Sequence, residues 1–331
     1  MNITFLIGNG FDISLGLKTS YSEFAKYYIQ RPSSHPSIEK LKTDIEKDIH
    51  NGEKEWGSKW ADFERAFGEY TKNLSGIKEF DIVYDDVVAE MHTYITQEKE
   101  RFDDVISKTP IIDDVFVRSC IYPDSFIRER SKISKLFQGN IHLYFINFNY
   151  TTTFDRFAKS INWRYRSRGE LLVAESKLYH VHGTLDTALV FGVNDTSQIV
   201  NIEFQENPVI STQLVKPSFN QKLGYGIDDE CVNVIKDSDL ICVYGMSMGV
   251  TDKYWWEQII ENLKSGDHYA ILFQWSEKQY RKYQAWLQIR EEDNIKANFL
   301  KHAGLGLEDS ISNKIFIGYN TDIFKGIVRK E

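Results

Sequence analysis

The chain has 331 residues, of which 42% are hydrophobic and 27% are charged, and its formal net charge at pH 7 is −8. This composition is that of an ordinary globular protein with a sizeable core, so it excludes fibrous and largely disordered classes. The acidic balance makes nucleic acid an unlikely partner, because phosphate contacts require an excess of lysine and arginine.

The cysteines and the N-terminus indicate where the protein resides. Cys120, Cys231 and Cys242 form no CxxC pair, so the sequence predicts neither a zinc ribbon nor a disulfide framework. The first residues lack the basic start and long apolar core of a secretory signal, and no stretch approaches the roughly 18 apolar residues of a membrane span. We therefore expect a cytoplasmic protein with free thiols and no membrane contact.

Residues 1–30 predict the first βα unit of a Rossmann-like domain. The apolar run from Ile3 to Ile7 stops at Gly8, as a buried parallel strand would. Ser20 is a suitable N-cap for the amphipathic helix that follows, whose apolar residues extend to Tyr28.

Residues 31–139 predict a large helical insertion, because charged amphipathic stretches replace strand-like runs there. Helices are predicted at Ser37 to Ile49, Trp60 to Leu74, Ile77 to Ile106 and Asp124 to Phe137. We expect a packed helix face, with a lid over the site as the alternative, from Trp56, Trp60, Phe63 and Glu64.

Residues 140–331 predict the remainder of the Rossmann-like domain, because strand-like and helical runs alternate. Strands are predicted at Ile141 to Ile146, Leu178 to Val181, Ala188 to Phe191, Leu240 to Tyr244, Tyr269 to Phe273 and Lys314 to Ile317. Helices are predicted at Thr152 to Ile161, Asp228 to Ile235, Asp252 to Leu263 and Ser276 to Ile289. The aromatic stretch Tyr280 to Trp286 is expected in the core and at an interface. The predicted fold class is α/β, with a mainly parallel sheet covered by helices on both faces.

In such sheets ligands bind at the carboxyl ends of the strands, and the first strand ends in GNGFD, Gly8 to Asp12. The two glycines allow a tight turn and close approach to a phosphate, whose charge the following helix N-terminus favours. The full dinucleotide fingerprint is not met, because its third glycine would fall at Ile13. A glycine turn that merely starts a helix is the alternative.

The next strand ends in INFNYTTT, in which Asn149 can orient an amide or a ribose hydroxyl without adding charge. Its alternative role is to cap the helix that begins near Thr151. We expect capping from one of the two asparagines, Asn147 and Asn149, but capping does not account for both.

The motif YHVHG places His180 and His182 two residues apart, so that both point the same way in an extended strand. A metal pair is one interpretation, but no third ligand accompanies it, and we expect no metal. A histidine followed by glycine at a strand end suits general acid and base chemistry, which we assign to His182. For His180 we favour a structural role.

The strand DLICVYG leads into GMSMGVTD, Gly245 to Asp252. Its glycines and Ser247 predict a second loop that contacts phosphate or ribose, and Asp252 is a candidate cap for the helix that carries Trp255 and Trp256. Each motif is weak alone, but all of them follow predicted strands in order.

The motifs GNGFDISLGLKTSYSEF, FNYT, HVHG and YGMSMGVTD resemble those of the AbiH family of bacteriophage abortive-infection proteins, in the expected order across nearly the whole chain. More distantly, the order resembles the sirtuin-like NAD-binding fold. In that comparison, Gly8 to Asp12 matches the GAGxS loop of the sirtuin-like fold, and Gly245 to Ser247 matches its GxS loop. Phe148 to Thr151 matches its asparagine-containing motif, and His182 with Gly183 matches its catalytic His-Gly pair. The chain has Thr151 where an acid is usual and lacks the zinc-binding CxxC pairs, so protein deacylation is not implied.

This resemblance implies an antiphage effector, an NAD glycohydrolase that converts NAD, as substrate, into nicotinamide and ADP-ribose. Asn149 would orient ribose or water, and His182 would be the general base. The predicted cofactor-binding residues are Gly8, Asn9, Gly10, Phe11, Asp12, Thr151, Gly245, Ser247 and Asp252.

Two other functions stay open. One is a non-catalytic module of a defence system that senses NAD or a related nucleotide, with the helical insertion transmitting occupancy to a partner. The other is a toxin directed at nucleic acid, which the net charge disfavours. The sequence also leaves open a homo-oligomer and a phage-derived trigger as partners.

Overall fold

The computed structural model describes residues 1–55, 59–106, 114–117, 133, 136–137, 139–276, 278, 280–320 and 324. The strands are β1 Asn2–Ile7, β2 Asp114–Phe116, β3 His142–Asn147, β4 Asn162–Ser167, β5 Glu170–Val173, β6 Glu175–His180, β7 Leu240–Tyr244, β8 Tyr269–Gln274 and β9 Ile315–Tyr319. The helices are α1 Gly10–Ser14, α2 Tyr21–Tyr28, α3 Pro36–Glu55, α4 Phe63–Tyr70, α5 Ile77–Ile106, α6 Thr153–Ser160, α7 Ile202–Glu206, α8 Pro208–Leu214, α9 Lys216–Leu223, α10 Ile227–Lys236, α11 Lys253–Ser265 and α12 Ala285–Lys301.

Six strands form one all-parallel sheet in the order β6-β3-β1-β7-β8-β9. By position along the chain this order is third, second, first, fourth, fifth, sixth, which is the order of doubly wound dinucleotide-binding folds. The predicted Rossmann-like α/β class is therefore confirmed. The order reverses between β1 and β7, so the crevice in which such folds bind ligands opens after these two strands.

Alternate residues of the strands pack on opposite faces of the sheet. In β1, Phe5 belongs to one apolar cluster, whereas its neighbour Leu6 belongs to another. In β7, Cys242 and Val243 divide in the same way. Because both faces are covered, the central strands are continuous apolar runs, which made them recognisable in the sequence.

A third apolar cluster joins the helices of the first hundred residues to a later part of the chain. Phe67 of α4 and Phe80 of α5 pack in it with Phe191 and Phe204. The hydroxyl of Tyr84 donates to the backbone oxygen of Phe191 over 2.8 Å. The helical segment thus shares a core with residues that follow β6.

Most of the predicted elements are found within a few residues of their expected bounds, but three are not. Residues 188–191 form no strand, because Leu189 and Phe191 are buried in the third apolar cluster, among the helices, and do not join the sheet. The predicted helix at 276–289 is wrong, since α12 begins at Ala285. The predicted helix at 124–137 lies almost wholly outside the described residues.

The expected core position of the aromatic stretch is also wrong, because Tyr283 is 71% exposed and Trp286 is 57% exposed. No sequence pattern predicts the antiparallel pair β4 and β5, which turns at Arg168 and Gly169, both with positive φ. Nor does any pattern predict the helices between 202 and 223. Cys231 and Cys242 are buried thiols, and Cys120 lies outside the described residues.

Candidate functional site

A large cavity lies at the carboxyl edge of the sheet. Its volume is about 1400 Å³. Its wall extends from His182, after β6, across the loops that follow β3, β1 and β7, to Trp275 after β8 and Asn320 after β9. Residues of the predicted helical insertion, 31–139, line it as well, among them Glu64, Met91 and Tyr94, and so does Tyr21 of α2. Every predicted site residue lines this cavity except Phe11, whose ring packs in the core against Phe154 and Phe157.

The loops after β1 and β7 pack backbone against backbone. The amide of Gly8 donates to the oxygen of Tyr244 over 2.8 Å, and that of Gly10 donates to the oxygen of Gly245 over 2.7 Å. A Cβ on Gly10 would lie 2.5 Å from the Cα of Gly245, which itself has a φ of +69°. The glycines therefore allow one loop to approach the other. The amide of Phe11 is also occupied, since it donates to Gly8, and α1 has only five residues, so we assign no phosphate site to its N-terminus.

Replacing Gly10 by alanine is expected to lower the free energy of unfolding by about 1–3 kcal/mol, because backbone atoms of the second loop cannot move aside as a flexible side chain would. Urea unfolding measures this effect. Gly76→Ala is the matched control, since a Cβ there meets nothing within 4 Å. Equal stability of the two variants would contradict the tight packing of the loops.

Asp12 and Thr151 connect the first glycine loop with the loop after β3. The hydroxyl of Thr151 donates to Oδ2 of Asp12 over 2.6 Å, and both side chains are buried. Burial raises the pKa of the Asp12 carboxyl to about 7, against the lowering effect of the Thr151 hydrogen bond. The other oxygen, Oδ1, is buried and has no hydrogen-bond partner among the described residues. A buried polar atom of this kind is costly unless something else satisfies it.

Asn149 also has buried polar atoms without a hydrogen-bond partner among the described residues. Its side chain lines the cavity, the residue is 4% exposed, and neither its amide nitrogen nor its oxygen has a partner in the described part of the chain. Neither asparagine caps α6, whose N-cap Thr152 makes no side-chain cap bond, so the expected capping role is wrong. Asn147 instead accepts a hydrogen bond from the backbone amide of Asn149 at 3.1 Å and shapes the turn.

The two histidines have different surroundings. Nε2 of His180 lies 2.8 Å from Oδ1 of Asp155, in agreement with a structural role. His182 lies beyond the end of β6, in the cavity wall, with its ring centroid 5.3 Å from that of Phe148 and 6.3 Å from that of Tyr150. Gly183 after it has a φ of +72°, where a side chain would meet the carbonyl of Ala188.

The imidazole of His182 is neutral at physiological pH. Burial lowers its pKa well below the usual 6.5, the charge of Lys216 lowers it further, and a hydrogen bond with the Phe148 backbone opposes them. A neutral imidazole in a cavity wall can accept a proton without first losing one.

The loop after β7 reaches the cavity through Ser247 and Asp252. The expected capping role of Asp252 is wrong, because its side chain makes no cap bond to α11. Its Oδ1 instead accepts a hydrogen bond from Nζ of Lys216 over 3.1 Å.

The ion pair of Lys216 and Glu64 is a part of the site that sequence reasoning missed. Nζ of Lys216 donates to Oε2 of Glu64 over 2.9 Å, and both side chains are 5% exposed. The sequence predicts Glu64 in a packed helix face with Trp60 and Phe63, with a lid over the site as the alternative, but it gives no signal for the contact with Lys216. Lys216 had no signal, because its helix was not predicted. Trp56, from the same predicted face, lies outside the described residues.

Other kinds of site find no support in the part of the chain that the structure describes. No group of three or more histidine, cysteine, aspartate or glutamate side chains there could hold a metal ion. None of the described helices is long and apolar enough to cross a membrane.

Comparison with known proteins identifies a family. The family described as "Bacteriophage abortive infection AbiH" matches residues 4–274, from β1 to the end of β8. The match includes the glycine loops, Asn149, His182, Glu64 and Lys216. No curated protein matches the chain.

Proposed function

The chain belongs to the AbiH family of bacteriophage abortive-infection proteins, and we propose that it is an effector that hydrolyses NAD to nicotinamide and ADP-ribose. The observation that carries this proposal is Asn149, whose amide is buried without partners in the cavity wall and is adjacent in the chain to both aromatic residues that contact His182. An amide and a neutral imidazole in one wall are suited to orient a water and to take its proton.

The extent of the cavity supports a dinucleotide. A volume of about 1400 Å³ exceeds the roughly 300–1000 Å³ of sites for drug-sized ligands. The wall continues past β1 and β7, where the strand order reverses, to Trp275, whose exposed ring can stack on a base. We place the nicotinamide end near His182 and the adenosine end near Gly245 to Ser247 and Trp275.

In the proposed reaction, the bond between C1′ of the ribose and the nicotinamide nitrogen breaks, and its electron pair leaves with neutral nicotinamide. The transition state has oxocarbenium character, as in glycoside hydrolysis. A water then forms the new bond to C1′ and gives its proton to the imidazole of His182. Asn149 orients the ribose or this water.

The loops Gly8 to Asp12 and Gly245 to Ser247 are proposed to hold the diphosphate and the adenosine side. Because the amides of Gly8, Gly10 and Phe11 already donate to carbonyl groups, we assign the polar contacts to other groups of these loops, such as the hydroxyl of Ser247.

Asn149→Ala is expected to lower the turnover of NAD on the order of 10²-fold, the usual effect of removing one preorganised donor. The measurement quantifies nicotinamide and ADP-ribose from purified protein and records NAD binding in the same samples. Asn162→Ala, at an exposed position of β4, is the control. Full turnover in folded Asn149→Ala would remove this residue from the mechanism.

Nucleotide sensing is the second candidate function. It is favoured by the composition of the cavity wall. Glu64, Met91 and Tyr94 of residues 31–139 line the cavity together with the strand ends, so a bound nucleotide would contact both parts of the chain. NAD binding by the wild type without product would support sensing, whereas the absence of NAD binding would exclude both functions.

A further inference from the structure

A buried ionic cluster connects three distant parts of the chain at the cavity. Lys216, at the start of α9, donates to Glu64 of α4 and to Asp252 after β7, over 2.9 and 3.1 Å. Both carboxylates line the cavity, and so does Asp62, whose carboxyl also interacts with the charge of Lys216. One ammonium group thus bonds to two carboxyl groups, and its charge also acts on a third.

Acidic groups outnumber basic groups in this cluster. Burial lowers the pKa of Lys216, but the carboxylates of Asp252 and Glu64 outweigh it and raise the pKa, so the ammonium stays charged. Burial raises the pKa of Glu64 to about 7, and the charge of Lys216 opposes this shift. No lysine or arginine among the described residues lines the cavity. The wall beside Glu64 is therefore lined by three carboxyl groups and, in the described part of the chain, by no lysine or arginine.

An ion pair that served only to fasten the helical segment would need one carboxylate for each ammonium, since every further buried carboxylate adds a desolvation cost. The other oxygen of Glu64, Oε1, is buried, and the hydroxyl of Tyr21 interacts with this carboxyl group. A positively charged ligand at the cavity would favour the ionised form of these carboxyl groups. NAD carries such a charge on its pyridinium ring, and the charge passes to the ribose as the glycosidic bond breaks.

We propose that Glu64 is a catalytic carboxylate that faces the ribosyl–nicotinamide centre and stabilises its positive charge in the transition state. This inference rests on the proposed NAD hydrolysis. Lys216 acts as a positioning residue, because it holds Oε2 of Glu64 in place. Glu64 takes no proton in the step, since the electron pair leaves with nicotinamide and the proton of the water goes to His182.

Glu64→Gln keeps the shape of the side chain and an oxygen for Lys216 but removes the negative charge. We expect kcat for NAD to fall on the order of 10²-fold, with KM changed by less than about threefold, because the lost interaction is strongest in the transition state. Glu69→Gln is the matched control, since Glu69 lies on the same helix and forms a half-exposed ion pair with Arg65. Equal kcat in the two variants would overturn the inference while leaving NAD hydrolysis in place.

Binding gives a second readout that needs no turnover. Wild-type protein is expected to bind NAD more tightly than NADH, whose nicotinamide ring is uncharged, and Glu64→Gln should reduce this preference by about tenfold, from the Coulombic attraction of a carboxylate for a nearby cation. An unchanged preference would contradict the placement of Glu64. If the wild type binds but makes no product, the hydrolase proposal fails, and the preference still tests Glu64. If Glu64→Gln does not fold, E64Q/K216Q removes the buried ammonium as well and is measured in the same way.

Discussion

Replacing His182 by alanine is expected to lower the turnover of NAD by about 10²- to 10⁴-fold, which is the usual contribution of a general base. The imidazole lines the cavity and is neutral at physiological pH, so it is ready to accept the proton of the attacking water. NAD binding should be largely retained, because the glycine loops lie on other strands. The measurement compares kcat and the dissociation constant of NAD for the two proteins.

His50→Ala is the control for this experiment, because His50 is exposed on α3. His180→Ala is a more demanding comparison, because His180 is only two positions from His182 in the chain. This variant loses the contact of His180 with Asp155 but leaves the cavity wall intact. It should affect stability more than kcat. Normal turnover in folded His182→Ala would exclude this residue as the base.

Asp12→Asn is expected to stabilise the protein in a pH-dependent manner. Burial raises the folded-state pKa of Asp12 from 3.8 to about 7. Between these values the folded state keeps a proton that the unfolded state has already released, so the free energy of unfolding falls as the pH rises. Each pH unit costs about 1.4 kcal/mol, and the complete interval about 4 kcal/mol.

Asparagine has no proton to lose, yet its oxygen can still accept the hydrogen bond from Thr151. The difference in unfolding free energy between Asp12→Asn and wild type should therefore be small near pH 4 and should grow by about 4 kcal/mol up to pH 8. Denaturant unfolding at a series of pH values measures it, with Asp267→Asn, at an exposed position, as the control. A difference that does not vary with pH would show that Asp12 is not held protonated.

Buried polar groups without hydrogen-bond partners are found together in the cavity wall. Asp12 and Asn149 are each buried there with polar atoms that lack a partner among the described residues. Such groups destabilise a folded protein unless a ligand or an ordered water satisfies them. Their convergence on one wall is the physical basis for regarding the cavity as a functional site.

Local patterns in the sequence were sufficient for much of the fold. The apolar runs of β1 and β7 ended at glycines, and the helix from Ile77 to Ile106 was predicted with the bounds that it has. The opening motifs identified the AbiH family, which the family match confirms. The sirtuin-like NAD-binding fold, NAD as substrate and the catalytic roles of Asn149 and His182 stay predictions.

The sequence by itself determined which residues lie at the strand ends, because strand periods, glycine turns and helix caps depend on neighbours within a few positions. It also predicted the parallel sheet that brings those strand ends to one edge. It could not determine which helical residues complete the cavity. Glu64 meets Lys216 across 152 positions, and Lys216 meets Asp252 across 36. Contacts at such separations leave no periodic trace, since they arise only when independent segments pack together. Tertiary structure alone therefore decided that an acid on an apolar helix face belongs to the cavity and that Asp252 binds a lysine and does not cap a helix.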